Sequence, residues 1–252
     1  LRDLEEKLLE CDHLFARTPH RNAMQLALEV PKQPISNDAW RMLSDKLQKY
    51  LPKALQSDEY KERIASTKNF HQWRSNTTHV SFDNCHGIEL MAIVIHEGEH
   101  SEQTAKENWS NKENKMIAVS RVFYDSPAHY HIGYKNNYTE MQARLAQARF
   151  YLEVYQHLQN DPLWNMQERE SFLEACTTMR NYLLRDVSPK EYTAINERNI
   201  RLLTNSTKSY SPFIDVFPGE TPAERNRAAA QFLKEEGIRE YEAVYRELVH
   251  CV

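Results

Sequence analysis

A chain of 252 residues that is 40% hydrophobic and 27% charged carries enough apolar material for a sizeable core, which places it with globular proteins rather than disordered ones. Its 32 basic and 36 acidic residues leave a net charge of -4 with no basic block and no aromatic-plus-basic repeat, so nothing in it marks a nucleic-acid binder. No apolar run reaches the roughly 20 residues of a membrane span, and a low glycine count beside abundant Leu, Ala, Glu, Lys, Gln and Arg predicts a soluble, mostly α fold with little strand.

In chain order, residues 1–15 carry helical periodicity and read as a charged amphipathic helix rather than a signal peptide, although a start without Met leaves a removed leader open. A second helical stretch covers about 22–30. Ser36 is placed to cap a helix with Trp40, Leu43, Leu47 and Leu51 on one stripe, and Ser57 to cap another short one. The segment "TTHVSF", 77–82, alternates polar and apolar with β-branched residues, which predicts an edge strand ending in the turn "DNCHG". From Gly87 the pattern is helical to about Asn108, then a polar loop, "NWSNKENK", intervenes. Residues 116–124 fit helix or strand equally, and "DSPAHYHIGYKNN" reads as loop. Thr139 opens a long helix to about Gln159 with Ala143, Ala146, Phe150 and Val154 along one side. Helices follow over 166–185, 189–203, 222–236 and 238–250, with "NSTKSYSPFIDVFPGET" as a long surface loop between the middle pair. Neither repeats nor a composition shift marks a boundary. The reading is therefore one domain, 1–252, made of an N-terminal helical part (1–70), a core (71–160) and a C-terminal helical part (161–252).

The four cysteines, Cys11, Cys85, Cys176 and Cys251, show no paired spacing, which argues against a disulfide framework and a cysteine zinc site and fits a reducing compartment. Chemistry concentrates instead in "MAIVIHEGEHSEQ". His96-Glu97-Gly98-Glu99-His100 is H-E-x-x-H, and on a helix residues four apart share one face. Two imidazoles so placed can reach one Zn²⁺ at about 2.0–2.1 Å, with Glu97 near the remaining coordination position. Zinc draws the pKa of its water toward about 7, and Glu97 as general base can take that proton and pass it to a leaving amine. Random placement of this chain's His and Glu gives roughly 0.05 such motifs per chain, so context matters: the motif closes an apolar turn, Ile93-Val94-Ile95, behind a strand-like segment. Glu99 reads as solvent-facing or as a partner of a neighbouring group. His71, His79 and His86 read as surface or turn residues.

A catalytic zinc needs a third protein ligand. Glu140, in the first turn of the long helix, is a candidate, because the small Ala143 and Ala146 let that helix approach the motif closely; the competing role is a carboxylate favoured at a helix N-terminus. Asp125 is the rival, while His129 and His131 are less suited.

"VIHEGEH" after a strand-like segment resembles the zincin metallopeptidases over about 77–151. The metzincin branch does not fit, since its Gly and third His would fall on Gln103 and Lys106. The gluzincin-like branch, whose third ligand is a Glu on a later helix in a Glu-x-x-Ala context, is similar to Glu140 and Ala143 here. That resemblance implies a zincin-like core with a small β-sheet, metal ligands His96, His100 and Glu140, Zn²⁺ as cofactor, and a Tyr or His donating to the oxyanion, for which His131, Tyr134 and Tyr138 stand nearby. It also implies endopeptidase action on a protein substrate, held along the 77–82 edge. Size, cysteine usage and helical decoration are similar to bacterial effector metalloproteases that act inside a host cell after secretion, some of which cleave actin, so host actin is the implied substrate. A non-peptidase zinc hydrolase and a metal-free helical interaction protein are the other classes open to this sequence.

Overall fold

The computed structural model describes residues 61–64, 70–72, 77–80, 87–103, 110–124, 132–158 and 187–251, with scattered positions between 166 and 185. The helices expected over 1–15, 22–30 and from Ser36 to Leu51, together with Asp125, His129 and His131, lie outside these described residues, as do Cys11 and Cys85; the part expected to be helical to residue 70 instead holds a strand at Lys61–Ile64. What is described is mostly helical. Two compact units are distinguishable, one spanning 1–105 and 146–178 and the other 106–145 and 179–252. The cut falls within a single uninterrupted helix, Tyr138–Leu158, which counts to both.

In the first unit, strands β1 (Lys61–Ile64), β2 (Phe70–Gln72) and β3 (Thr77–Val80) make one sheet in the order β1-β3-β2. β3 runs parallel to β1, with Lys61 opposite Thr77, and antiparallel to β2, with Phe70 opposite His79. This corrects the expected edge strand. Over the described residues Thr77–Val80, β3 is the middle strand, with β1 on one side and β2 on the other. The alternating pattern was legible locally, whereas strand order depends on partners distant in sequence.

Helix α1 (Gly87–Glu102) packs against β2 and β3. Its Leu, Met, Ala and Glu are good helix formers that offset three consecutive β-branched residues. Ala92 and Ile95 are buried, and so are Glu97, Gly98 and His100 after them, while His96 and Glu99 are half-buried.

The second unit holds α2 (Asn111–Tyr124), α3 (Ile132–Lys135), the start of α4 (Tyr138–Leu158), α5 (Pro189–Thr204), α6 (Pro222–Phe232) and α7 (Ile238–Cys251). α2 begins inside the stretch expected to be loop. Ser110 Oγ accepts the Glu113 N–H at 3.2 Å and Glu113 Oε2 accepts the Ser110 N–H at 2.8 Å, a reciprocal cap that starts the helix amid polar residues. Met116 to Val119 are then buried, which settles that ambiguous stretch as helix. α6 and α7 are joined without a break through a π-helical turn, Leu233–Gly237. Asn196 Nδ2 on α5 donates to the Leu233 carbonyl at 3.1 Å, and a Cβ on Gly237 would come within 2.9 Å of Asn196 Oδ1, so glycine is what lets the turn lie so close to α5.

Nor is 205–221 only a surface loop. Phe213 and Phe217 are buried there, with ring centroids 5.0 Å apart and edge to face, and Phe217 meets Phe232 at 6.0 Å. The core of this unit also stacks Tyr192 on Tyr241 at 3.8 Å.

Asn136, fully buried between α3 and α4, ties three elements together. Its Oδ1 accepts the Ser188 N–H at 2.9 Å and the Tyr241 hydroxyl at 2.7 Å, and its Nδ2 donates to Glu191 Oε2 at 3.3 Å.

Candidate metal centre

His96 and His100 are separated by one turn of α1, and their rings lie edge to face with centroids 5.1 Å apart. His100 is 4% exposed and Glu97 8%, so the motif offers imidazole and carboxylate in a largely dehydrated setting. His100 Nδ1 lies 2.9 Å from the side-chain oxygen of Gln103, itself buried, in the turn that ends α1.

Glu140 stands in the first turn of α4, whose start is well determined by its own residues. Asn137 Oδ1 accepts the Thr139 N–H at 3.0 Å and the Thr139 hydroxyl at 2.6 Å, and the Asn137 carbonyl accepts the Met141 N–H at 2.9 Å. Asn137 therefore does the capping. Everything from Tyr138 to Leu145 is buried, Glu140 and Ala143 completely, while Ala146 is half-buried.

His96, His100 and Glu140 form a group whose ligand atoms all lie within 4.8 Å of one another. A tetrahedral ion with bonds of about 2.0–2.1 Å needs donors about 3.4 Å apart. Two imidazole nitrogens with one carboxylate oxygen are a donor set compatible with a divalent metal such as zinc or its first-row neighbours.

The tyrosines are placed differently. Tyr138 is buried, its hydroxyl accepts from Gln142 Nε2 at 3.2 Å, and it borders a small pocket with Ser120, Tyr192 and Asn199. Burial chiefly, then the negative charge of Glu113 and Glu240, pushes its pKa up, so the phenol stays protonated. Two residues apart on a helix point about 200° apart, which directs Tyr138 away from Glu140 and into the interior of the second unit. Tyr134 is exposed and lies with its ring 6.0 Å from the Arg144 guanidinium. Burial pushes the Cys176 thiol up to about 12, away from the reactive thiolate.

Gln103 was visible in the sequence only as a departure from the metzincin pattern; the signal for its contact with His100 is a side-chain acceptor three residues after a histidine on the same helix. Asn136 left no comparable signal, since its partners come from residues 52 to 105 positions away. No protein-family profile, curated protein or solved structure matches the chain. Among the described residues no helix is long and apolar enough to cross a membrane.

Proposed function

We propose that this chain is a zinc-dependent endopeptidase of zincin type that cleaves a protein substrate. The observation that supports the reading is the meeting of His96, His100 and Glu140, from a four-residue spacing on one helix and the first turn of another, beside the buried carboxylate of Glu97. When bound, a zinc ion held by those three residues supplies Lewis acidity toward a water and a peptide carbonyl. Glu97 then acts as general base: it takes a proton from the attacking water and delivers it to the departing amine nitrogen. Burial serves this role, because few solvent molecules compete for the carboxylate. Tyr134 or His131 donates a hydrogen bond to the developing oxyanion, and Tyr138 holds the fold. Host-cell proteins, actin first among them, are the substrates proposed, met after secretion into a host cell.

The test is incubation of the purified chain with a panel of folded proteins that includes actin, scored for discrete fragments whose new termini are read by mass spectrometry. Fragments should appear with wild type, vanish with a chelator, return with zinc, and fall 10²–10⁴-fold in rate in Glu97→Gln. Fragments unaffected by Glu97→Gln refute the assignment. Zinc-dependent hydrolysis of small esters without any peptide cleavage moves the chain to a non-peptidase hydrolase.

A further inference from the structure

Helix α1 does more than space its two histidines. Gln103 closes it: the Gln103 N–H donates to the Glu99 carbonyl at 2.9 Å, the residue is 2% exposed, and its side-chain oxygen faces His100 Nδ1 at 2.9 Å. A carboxamide oxygen only accepts, so the ring nitrogen opposite it has to carry the proton. In a neutral imidazole the other nitrogen, Nε2, then keeps its lone pair.

We infer that Gln103 is a positioning residue for the metal centre: through the His100 Nδ1 hydrogen bond it fixes the tautomer and ring orientation in which Nε2 is the metal-binding nitrogen. The inference rests on the metal reading above and adds to it a residue outside the H-E-x-x-H motif. Physically it has two parts. A free imidazole divides between two tautomers and turns about its side-chain bonds, and a ligand held in one state loses less freedom when it binds. An acceptor behind the ring also makes the ligating nitrogen more basic, and groups in that position are typically worth about 10–100-fold in metal affinity. The bond lies within α1 and the turn that ends it, so both partners come from one short stretch of chain.

The experiment uses the full chain with two substitutions, Gln103→Met, which keeps length and apolar bulk but removes the acceptor, and Gln103→Glu, which keeps an acceptor. Tautomers are read on metal-free protein by ¹⁵N correlation spectra of the His100 ring, well above the ordinary imidazole pKa. Zinc affinity is then read by competition with a chromophoric chelator. Wild type should show His100 protonated at Nδ1, Gln103→Met a mixed or reversed population with zinc bound about 10–100-fold more weakly, and Gln103→Glu both properties restored. His100 protonated at Nε2 in wild type overturns the role of Gln103 whatever the zinc result, and so does unchanged zinc affinity in Gln103→Met. Should Gln103→Met fail to fold, the wild-type tautomer and the Gln103→Glu affinity still decide, an Nε2-protonated ring or a Glu variant weakened as a ligand-loss variant would be counting against the inference. A wild-type chain that binds no zinc while His100 is protonated at Nδ1 overturns the metal reading instead, and the positioning role with it.

Discussion

Replacing Asn136 with Ala removes an acceptor shared by two donors and a donor to Glu191, all within one unit of the fold. The Tyr241 hydroxyl suffers most: Tyr241 has no solvent exposure, and stranding a buried donor costs about 1–3 kcal/mol. Loss of the Ser188 and Glu191 bonds adds about 1 kcal/mol each, for a total of roughly 3–5 kcal/mol. Tyr241→Phe removes the donor and leaves Asn136 Oδ1 bonded to the Ser188 N–H, so it should cost only about 0.5–1.5 kcal/mol. In the Tyr241→Phe background no hydroxyl is stranded, so Asn136→Ala should then be about 1–3 kcal/mol milder than in wild type. Asn136→Asp adds a sign test. It keeps the acceptor but sets a carboxylate where Nδ2 now lies 3.3 Å from Glu191 Oε2. Two like charges at that range raise a folded-state pKa above its unfolded value. The variant is then closest to wild type below the ordinary carboxylate pKa, and loses stability as pH rises through the raised value. Urea unfolding followed by circular dichroism, across pH for the Asp variant, measures all four. An Asn136→Ala cost below about 1 kcal/mol, or strict additivity with Tyr241→Phe, refutes the reasoning.

Glu140→Gln replaces the anionic donor among the three with a neutral amide and is expected to weaken zinc binding by orders of magnitude, whereas Asp125→Asn should leave it bound; a chelator competition showing the reverse transfers the ligand to Asp125. Tyr138→Phe is expected to lower the unfolding midpoint while leaving the peptidase rate within a few-fold of wild type, and a large loss of rate in a fully folded variant restores Tyr138 to the oxyanion role. Glu224 is held below the usual carboxylate range mainly by the Thr221 backbone N–H and then by the Thr221 hydroxyl, in the cap that starts α6. Its folded pKa is depressed, so its contribution is present above the unfolded value of 4.5 and fades as pH falls through the folded one. Glu224→Gln should therefore flatten the acid side of the stability profile, and an unaltered profile counts against the cap.

What the sequence disclosed was what short spacing carries. A four-residue interval places His96 and His100 on one face of α1, and the periodicity around Ala143 and Phe150 marks α4. The Ser110 to Glu113 cap was equally local, yet Asn and Lys on either side made the stretch resemble a loop. Other features depend on chain segments meeting at a distance. β3 lies mid-sheet because β1 and β2 both pair with it, and Phe213 and Phe217 turn inward because Phe232 waits for them. The same holds for Asn136, whose amide has no meaning until Ser188, Glu191 and Tyr241 are beside it. Glu140 is intermediate: its place at a helix start was readable, but its distance from His96 and His100 was not.

Metal content decides the central claim. The full chain, purified without chelator, loaded with zinc and exhaustively desalted, is measured for metal per chain by plasma emission beside a folded His96→Ala/His100→Ala double variant. The account expects about one zinc ion per wild-type chain and none in the double variant, from two lost ligands of three. Equal zinc in both proteins, or none in wild type, contradicts it.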